Sequence, residues 1–251
     1  MHPAFQHLGH RPWPLPQKPW SWRQSWLDLA FIHHRVEAAK LEALLPDGVE
    51  LERFDGTAWI ALVPFRMAGV MRRPLPDLPF FSTFPELNVR TYVTVDGKPG
   101  VWFFSLDAAS RAVVFGGRNF YGLPYHAARM RHRETEGWYA FSSSRRRDGT
   151  SFEARFRPLG NPFFAPPGTF EHWAAERYCL YSHSPRGLSR VEVHHAPWPL
   201  RRMEMVMMRG NLLEPLGIDV LPGEPVCHFS SGVHVVSYGR EWLTPGNPSI
   251  A

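Results

Sequence analysis

Lysine is scarce in this chain: of 28 lysines and arginines only three are lysines, Lys18, Lys40 and Lys98. Imine chemistry needs a desolvated amine. The flanking sequence puts these three in an N-terminal arm, on a helix and in a hairpin turn, so a Schiff-base mechanism is not expected. Cys179 and Cys227 are the only cysteines among 251 residues. That is too few for a disulfide scaffold and fits reduced thiols in a cytoplasmic protein, with a single bridge as the alternative. Cys179, in the run RYCLY, reads as a buried inert thiol. No apolar run reaches eighteen residues, so no membrane-spanning helix is expected. The first 25 residues lack the apolar core and cleavage site of a signal peptide.

Several motifs are missing as well. There is no GxGxxG or P-loop, no HExxH or CxxC, and no GxSxG elbow in a strand–turn–helix context. The 13 histidines include the adjacent pairs His33-His34 and His194-His195. Neighbours on a strand point to opposite faces, so neither pair can chelate one ion while extended. No metal and no cofactor is expected. The formal charge of +5 comes from arginines scattered along strand-like segments. Without a basic patch interleaved with aromatics, nucleic acid is not an expected partner.

What is present is β-rich. Residues 1–24 carry Trp13, Trp20 and Trp22 among closely spaced prolines and read as an arm, either loose or packed on the body by its tryptophans. The body spans 25–240 as one domain, and 241–251 form a tail expected to fray. WLDLAFIHH reads as a strand, and EAAKLEALLP (Glu37 to Pro46) as a short helix ended by proline. Three hairpins follow from DG turns: VELERF with AWIALVPF, LNVRTYVTV with GVWFFSLD, and WYAFSSSRRR with TSFEARFRP. Helical patterns return at 108–115 and 169–176. Later strands are expected at 177–182, 188–194, 203–208 and 227–236. Many short strands without βαβ alternation predict a mainly β (α+β) fold, an antiparallel sheet curled into a barrel or sandwich.

The stretch GGRNFYGLPYHAARM, Gly116 to Met130, is the most specific in the chain. The glycine pair can stop the preceding helix, and Pro124 biases Leu123 toward extended geometry. Tyr125 and His126 would then stand on a rigid corner. This run resembles the segment of acetoacetate decarboxylases that carries their catalytic lysine pair. Together with ELNVRTYV, ERYCLY and HHAPWPL it resembles the YqjF-like family more closely, over residues 26–237. The resemblance implies a closed antiparallel β-barrel with a few peripheral helices and an internal cavity, and it implies homo-oligomers. Tyr125 and His126 stand where the decarboxylases have lysines, so the resemblance carries the cavity without the Schiff base.

Glu86 matches an acidic active-site position of the decarboxylases. It reads as a general acid or base on a loop over the barrel mouth, or as an ordinary loop carboxylate or an ion-pair partner of Arg90 or Arg118. His126 reads as a cavity-lining base or donor, or as a histidine satisfied by the barrel wall. Asn88 and Arg90 lie two apart on one strand face, with Glu86 preceding them, and are candidate ligand contacts. Arg118 is either a bidentate clamp on a carboxylate or a buried tie to Glu86 or Asp107. Tyr121 and Tyr125 complete the candidate binding set. Three functions stay open: a protein that binds a small organic acid or apolar metabolite, an acid–base lyase, hydrolase or isomerase using Glu86 and His126, or an interaction protein whose Trp-rich arm docks on another subunit.

Overall fold

A computed structural model describes residues 2–75 and 83–243 of the chain. Its strands are β1 (Trp20–Val36), β2 (Glu50–Leu51), β3 (Ala58–Arg72), β4 (Phe84–Val95), β5 (Lys98–Ala108), β6 (Tyr125–Thr135) and β7 (Trp138–Arg145). They continue with β8 (Ser151–Phe163), β9 (Cys179–Ser184), β10 (Gly187–His195), β11 (Leu200–Gly210), β12 (Val226–Tyr238) and β13 (Glu241–Trp242). The α-helices are α1 (Ala38–Glu42), α2 (Arg111–Tyr121) and α3 (Phe170–Ala175).

Strands β12, β1, β3, β4 and β5 pair in that order, antiparallel, and form one continuous wall. The two edges of that wall change partner partway along. β5 pairs with β9 at Val101 and Trp102, then with β6 from Leu106 to Ala108, both parallel. β12 pairs with β11 at His228 to Ser230 and with β10 at Val235 to Ser237. The wall is thereby closed twice: by β9–β10 into a ring of seven strands, and by β6–β7–β8–β11 into a ring of nine. The closed barrel with few helices is thus observed, with two short parallel contacts where a wholly antiparallel sheet was expected.

A wall between two lumens must be apolar on both faces. Leu29, Phe31, Ala61, Val63, Phe65, Tyr92 and Val101 pack on the seven-strand side. Their alternates Ala30, Ile32, Ile60, Leu62, Leu87 and Val89 pack on the nine-strand side with Phe141, Phe152, Phe156 and Phe229. This accounts for near-continuous apolar runs such as AWIALVPF, because strand alternation here sorts residues between two cores rather than between core and water. Gly232 lets β1 and β12 cross closely: a Cβ there would lie 2.1 Å from the Trp26 carbonyl oxygen.

Some expectations are corrected. The second and third hairpins form as read, the second through Asp96 and Gly97 at φ 51° and 70°, the pairing that tight two-residue hairpins require. The first closes only at its Asp55-Gly56 turn, where Phe54 and Thr57 exchange backbone hydrogen bonds at 2.9 Å; its arm leaves, and Glu50 and Leu51 pair with Thr94 and Val93 of β4. β3 already has β1 and β4 on its two edges and has none to spare for β2. The segment 1–24 is not wholly an arm, since β1 begins at Trp20 and pairs there with Tyr238. Ahead of it, buried Arg11 donates to Glu192 at 2.9 Å, as does the Trp13 indole. In the expected tail, Glu241 and Trp242 pair with β10 and the Leu243 amide donates to the Leu188 carbonyl at 2.9 Å; residues 244–251 lie outside the described residues.

Candidate functional site

Helix α2 and the corner after it build the site. The Ser110 side chain accepts from the Val113 amide and caps the helix. The helix then runs through Gly116 and Gly117 and stops only at Gly122, at φ 63°. The glycine pair is therefore not the helix stop that its composition suggested. Its service is to the next element: a Cβ on Gly117 would lie 2.3 Å from the Tyr125 ring. Only glycine lets that ring slide under the helix. The corner is held by Leu106 N–H donating to the Pro124 carbonyl at 3.1 Å, and by Arg118 Nε donating to the Tyr125 carbonyl at 2.6 Å.

Beneath α2 the seven-strand lumen holds a cavity of about 390 Å³. Trp22, Met67, Phe84, Phe103, Leu106, Val113, Leu123, Leu180 and Val191 supply most of its wall. A cavity of this size, apolar with a few polar groups, is the usual form of a small-molecule site. The polar groups include Glu86, Asn88, Tyr121 and Tyr125. Glu86 is 2 % exposed, and the Tyr125 hydroxyl donates to its Oε2 at 3.2 Å. Burial pushes the Glu86 carboxyl up to about 8; the charge of Asp107 adds to this, and the Tyr125 hydrogen bond opposes it. Glu86 is thus mostly a neutral acid near pH 7, able to donate as well as accept. Burial and the Glu86 carboxylate together hold the Tyr125 phenol well above its ordinary range.

The candidate residues separate into two groups. Glu86, Asn88, Tyr121 and Tyr125 line the cavity, and Arg90 lies deeper on the same face of β4, on the wall of a second cavity of about 30 Å³. Asn88, Phe103 and Leu180 belong to both walls. His126 is on neither wall. It follows Tyr125 on β6 and so faces the opposite side, beside Asp107, Arg145, Arg118 and Asp148. Its expected place in the cavity is corrected on that ground. Arg118 is exposed and holds the helix to the corner, so it is neither a clamp in the cavity nor a buried tie to a carboxylate.

Other residues on the inner wall had no role assigned from sequence. Arg177, His195, Trp198 and Trp26 line the small cavity. His33 Nε2 lies 2.6 Å from the Tyr92 hydroxyl in the same lumen. Arg177 stands in ERYCLY, and His195 and Trp198 in HHAPWPL, two segments already singled out for their family likeness. The lysines stand elsewhere: Lys98 pairs with Glu192 at 3.0 Å, Lys18 donates to the Gly239 carbonyl at 2.9 Å, and Lys40 is on α1. None of the three lines either cavity. Both cysteines are free thiols, and burial pushes Cys179 up to about 11. Among the described residues no helix is long and apolar enough to cross a membrane, and no three His, Cys, Asp or Glu side chains gather to hold a metal.

Comparisons with known proteins agree with this architecture. The profile of the DUF2071 family, described as an uncharacterized conserved protein, matches residues 23–234. The protein YqjF of Bacillus subtilis (strain 168) is 37% identical over 230 residues, covering 91% of this chain and 95% of that one. Among solved structures, the enduracididine biosynthesis enzyme MppR complexed with pyruvate superposes with a TM-score of 0.63 at 13% identity, covering 94% of this chain and 95% of that one. Acetoacetate decarboxylase from Legionella pneumophila gives a TM-score of 0.61 at 14% identity, with 92% and 91% covered. At such identities the shared property is the fold.

Proposed function

We infer, for a chain that belongs to the DUF2071 family, that the protein binds a small organic acid or apolar metabolite in the lumen of its seven-strand ring. The observation that carries this reading is the cavity of about 390 Å³ with one buried acid–phenol pair, Glu86 and Tyr125, in a mostly apolar wall. A protein interior is normally packed to crystal density, and a void of this size beside a neutral carboxyl group is the form of a binding site. The occurrence of this fold in MppR complexed with pyruvate supports a small acid as ligand. None of Lys18, Lys40 and Lys98 lines the cavity, which supports a reading without imine chemistry.

A second reading, acid–base turnover of a carbonyl or carboxylate compound, is favoured by the Glu86 carboxyl at about 8, where an acid and a base are both accessible near neutrality. Its partner in that reading is Tyr125 rather than His126.

A thermal-shift panel of short- and medium-chain carboxylates, keto acids and neutral isosteres tests both. The expected result is that one class raises the melting temperature of the wild type in a concentration-dependent way. Glu86→Gln or Tyr125→Phe should reduce that rise. Equal shifts in all three proteins would move the site away from this pair. Mass spectrometry of the stabilising compound after incubation separates binding from turnover.

A further inference from the structure

We propose that the small inner cavity is the seat for the ligand's carboxylate, so that the ligand enters head first and leaves its apolar tail in the larger cavity. This rests on the reading of the larger cavity as a ligand site and adds to it the chemical class of the ligand, an amphipathic monocarboxylate. The two cavities meet where Asn88, Phe103 and Leu180 belong to both walls. The inner one, about 30 Å³, exceeds the roughly 10–15 Å³ that one water requires. It has room for about two waters or one carboxylate group.

The balance of its wall favours the anion. Arg90 Nε, Arg177 Nη2, Trp26 Nε1 and Trp198 Nε1 are buried and have no acceptor, while Asn88 Oδ1 and His195 Nε2 on the same wall are buried and have no donor. The four donors outnumber the two acceptors, and an ionised carboxylate, which only accepts, has about four lone-pair sites to meet them. Charge points the same way. Arg177 is neutralised by Glu52 at 2.9 Å. Arg90 is 9% exposed, and its guanidinium lies over the Phe31 ring at 5.6 Å with no carboxylate partner among the described residues. A buried cation without a counter-charge is unfavourable unless a bound anion supplies one. Glu86 does not supply it, because at neutral pH that carboxyl is mostly protonated and hydrogen-bonded to Tyr125.

The test uses octanoate and octanamide, alike in tail and different in head charge, titrated calorimetrically into wild type and Arg90→Met. Carboxyl-labelled octanoate followed by ¹³C NMR adds a readout that needs no variant. The expected result is octanoate binding at least tenfold tighter than octanamide to wild type. That preference should vanish in Arg90→Met while octanamide affinity holds. The bound carboxyl should titrate below free octanoate. Equal affinity of the two probes for wild type, with the bound carboxyl titrating at or above the free value, would overturn the inner seat while leaving the larger cavity as a binding site. No binding of either probe would overturn the seat. No binding of any compound in the thermal-shift panel as well would overturn the parent reading with it.

Discussion

The two lumens share a five-strand wall and differ in almost everything behind it. The nine-strand lumen is filled by aromatic rings in contact, with Tyr139 stacked on Phe156 at 5.7 Å and Phe229 4.9 Å from Tyr139. Its buried acid, Asp107, meets a cation and a hydroxyl: Arg145 Nε donates to it at 2.6 Å and Ser143 Oγ at 2.7 Å. The seven-strand lumen is left part empty, its buried acid meets a tyrosine, and its buried Arg90 meets no acid. One lumen is filled, and the other keeps a cavity and, among the described residues, a cluster of buried donors without acceptors. The same strands serve both because alternate residues face opposite ways.

Substitutions can break this contrast. The largest effect is expected from Phe156→Ala in the filled lumen, a loss of about 3–5 kcal/mol from the transfer and cavity terms together. Chemical denaturation would measure it, and ligand affinity per folded molecule should not change. An equally large loss of affinity would mean that the two lumens are coupled.

Glu86 makes the next prediction, through pH. Its folded carboxyl titrates near 8 against an ordinary 4.5, so between those values the folded state holds the proton more tightly. Its contribution to stability therefore falls as pH rises from about 4.5 to about 8 and levels off above, a loss on the order of a few kcal/mol. The buried histidines, held below their ordinary value, contribute with the opposite sign at the acid end, so the test is the difference between wild type and Glu86→Gln in denaturation curves from pH 5 to 9. Wild type should lose stability relative to Glu86→Gln as pH rises through this interval; a difference that does not change with pH would contradict a neutral buried acid.

Gly117→Ala should cost about 1–3 kcal/mol, because the added methyl meets the Tyr125 ring and the ring or the helix must shift to admit it. It should also push the Tyr125 hydroxyl away from Glu86 and weaken ligand binding, which a fluorescence or calorimetric titration would detect. Smaller still, Val113→Phe projects from α2 into empty space. It should change stability by less than about 1 kcal/mol while blocking the ligand. Least of all, His126→Ala should leave ligand affinity unchanged, since that side chain is on the far side of β6. A clear loss of affinity there would reinstate it.

Much of this was legible in the sequence. Hairpins closed by Asp-Gly turns, and the later strands, are local signals, and DGKP and RRRDGT carried them to within a few residues. An internal cavity followed from family resemblance, and the shared face of Asn88 and Arg90 from strand alternation, but Glu86, expected on a loop, is buried within β4. The double closure was not legible. It depends on β5 and β12 each changing partner midway, and no local pattern encodes a non-local exchange. Gly117 was misread for a related reason: a glycine that makes room for a ring eight residues later looks, in sequence, like one that ends a helix. His126 was misplaced because its neighbour Tyr125 took the inward position, and strand phase at a corner is set by the turn, not by residue type. Arg177, His195 and Trp198 stood in segments marked for their likeness, yet their convergence with Arg90 required the ring to be closed.

The most direct test of the account is a calorimetric titration of wild type and Val113→Phe with the compound class that the thermal-shift panel selects. Saturable one-to-one binding to wild type, lost in a Val113→Phe protein of unchanged stability, is the result predicted for a ligand site inside the seven-strand lumen. Equal binding to both proteins would contradict the claim.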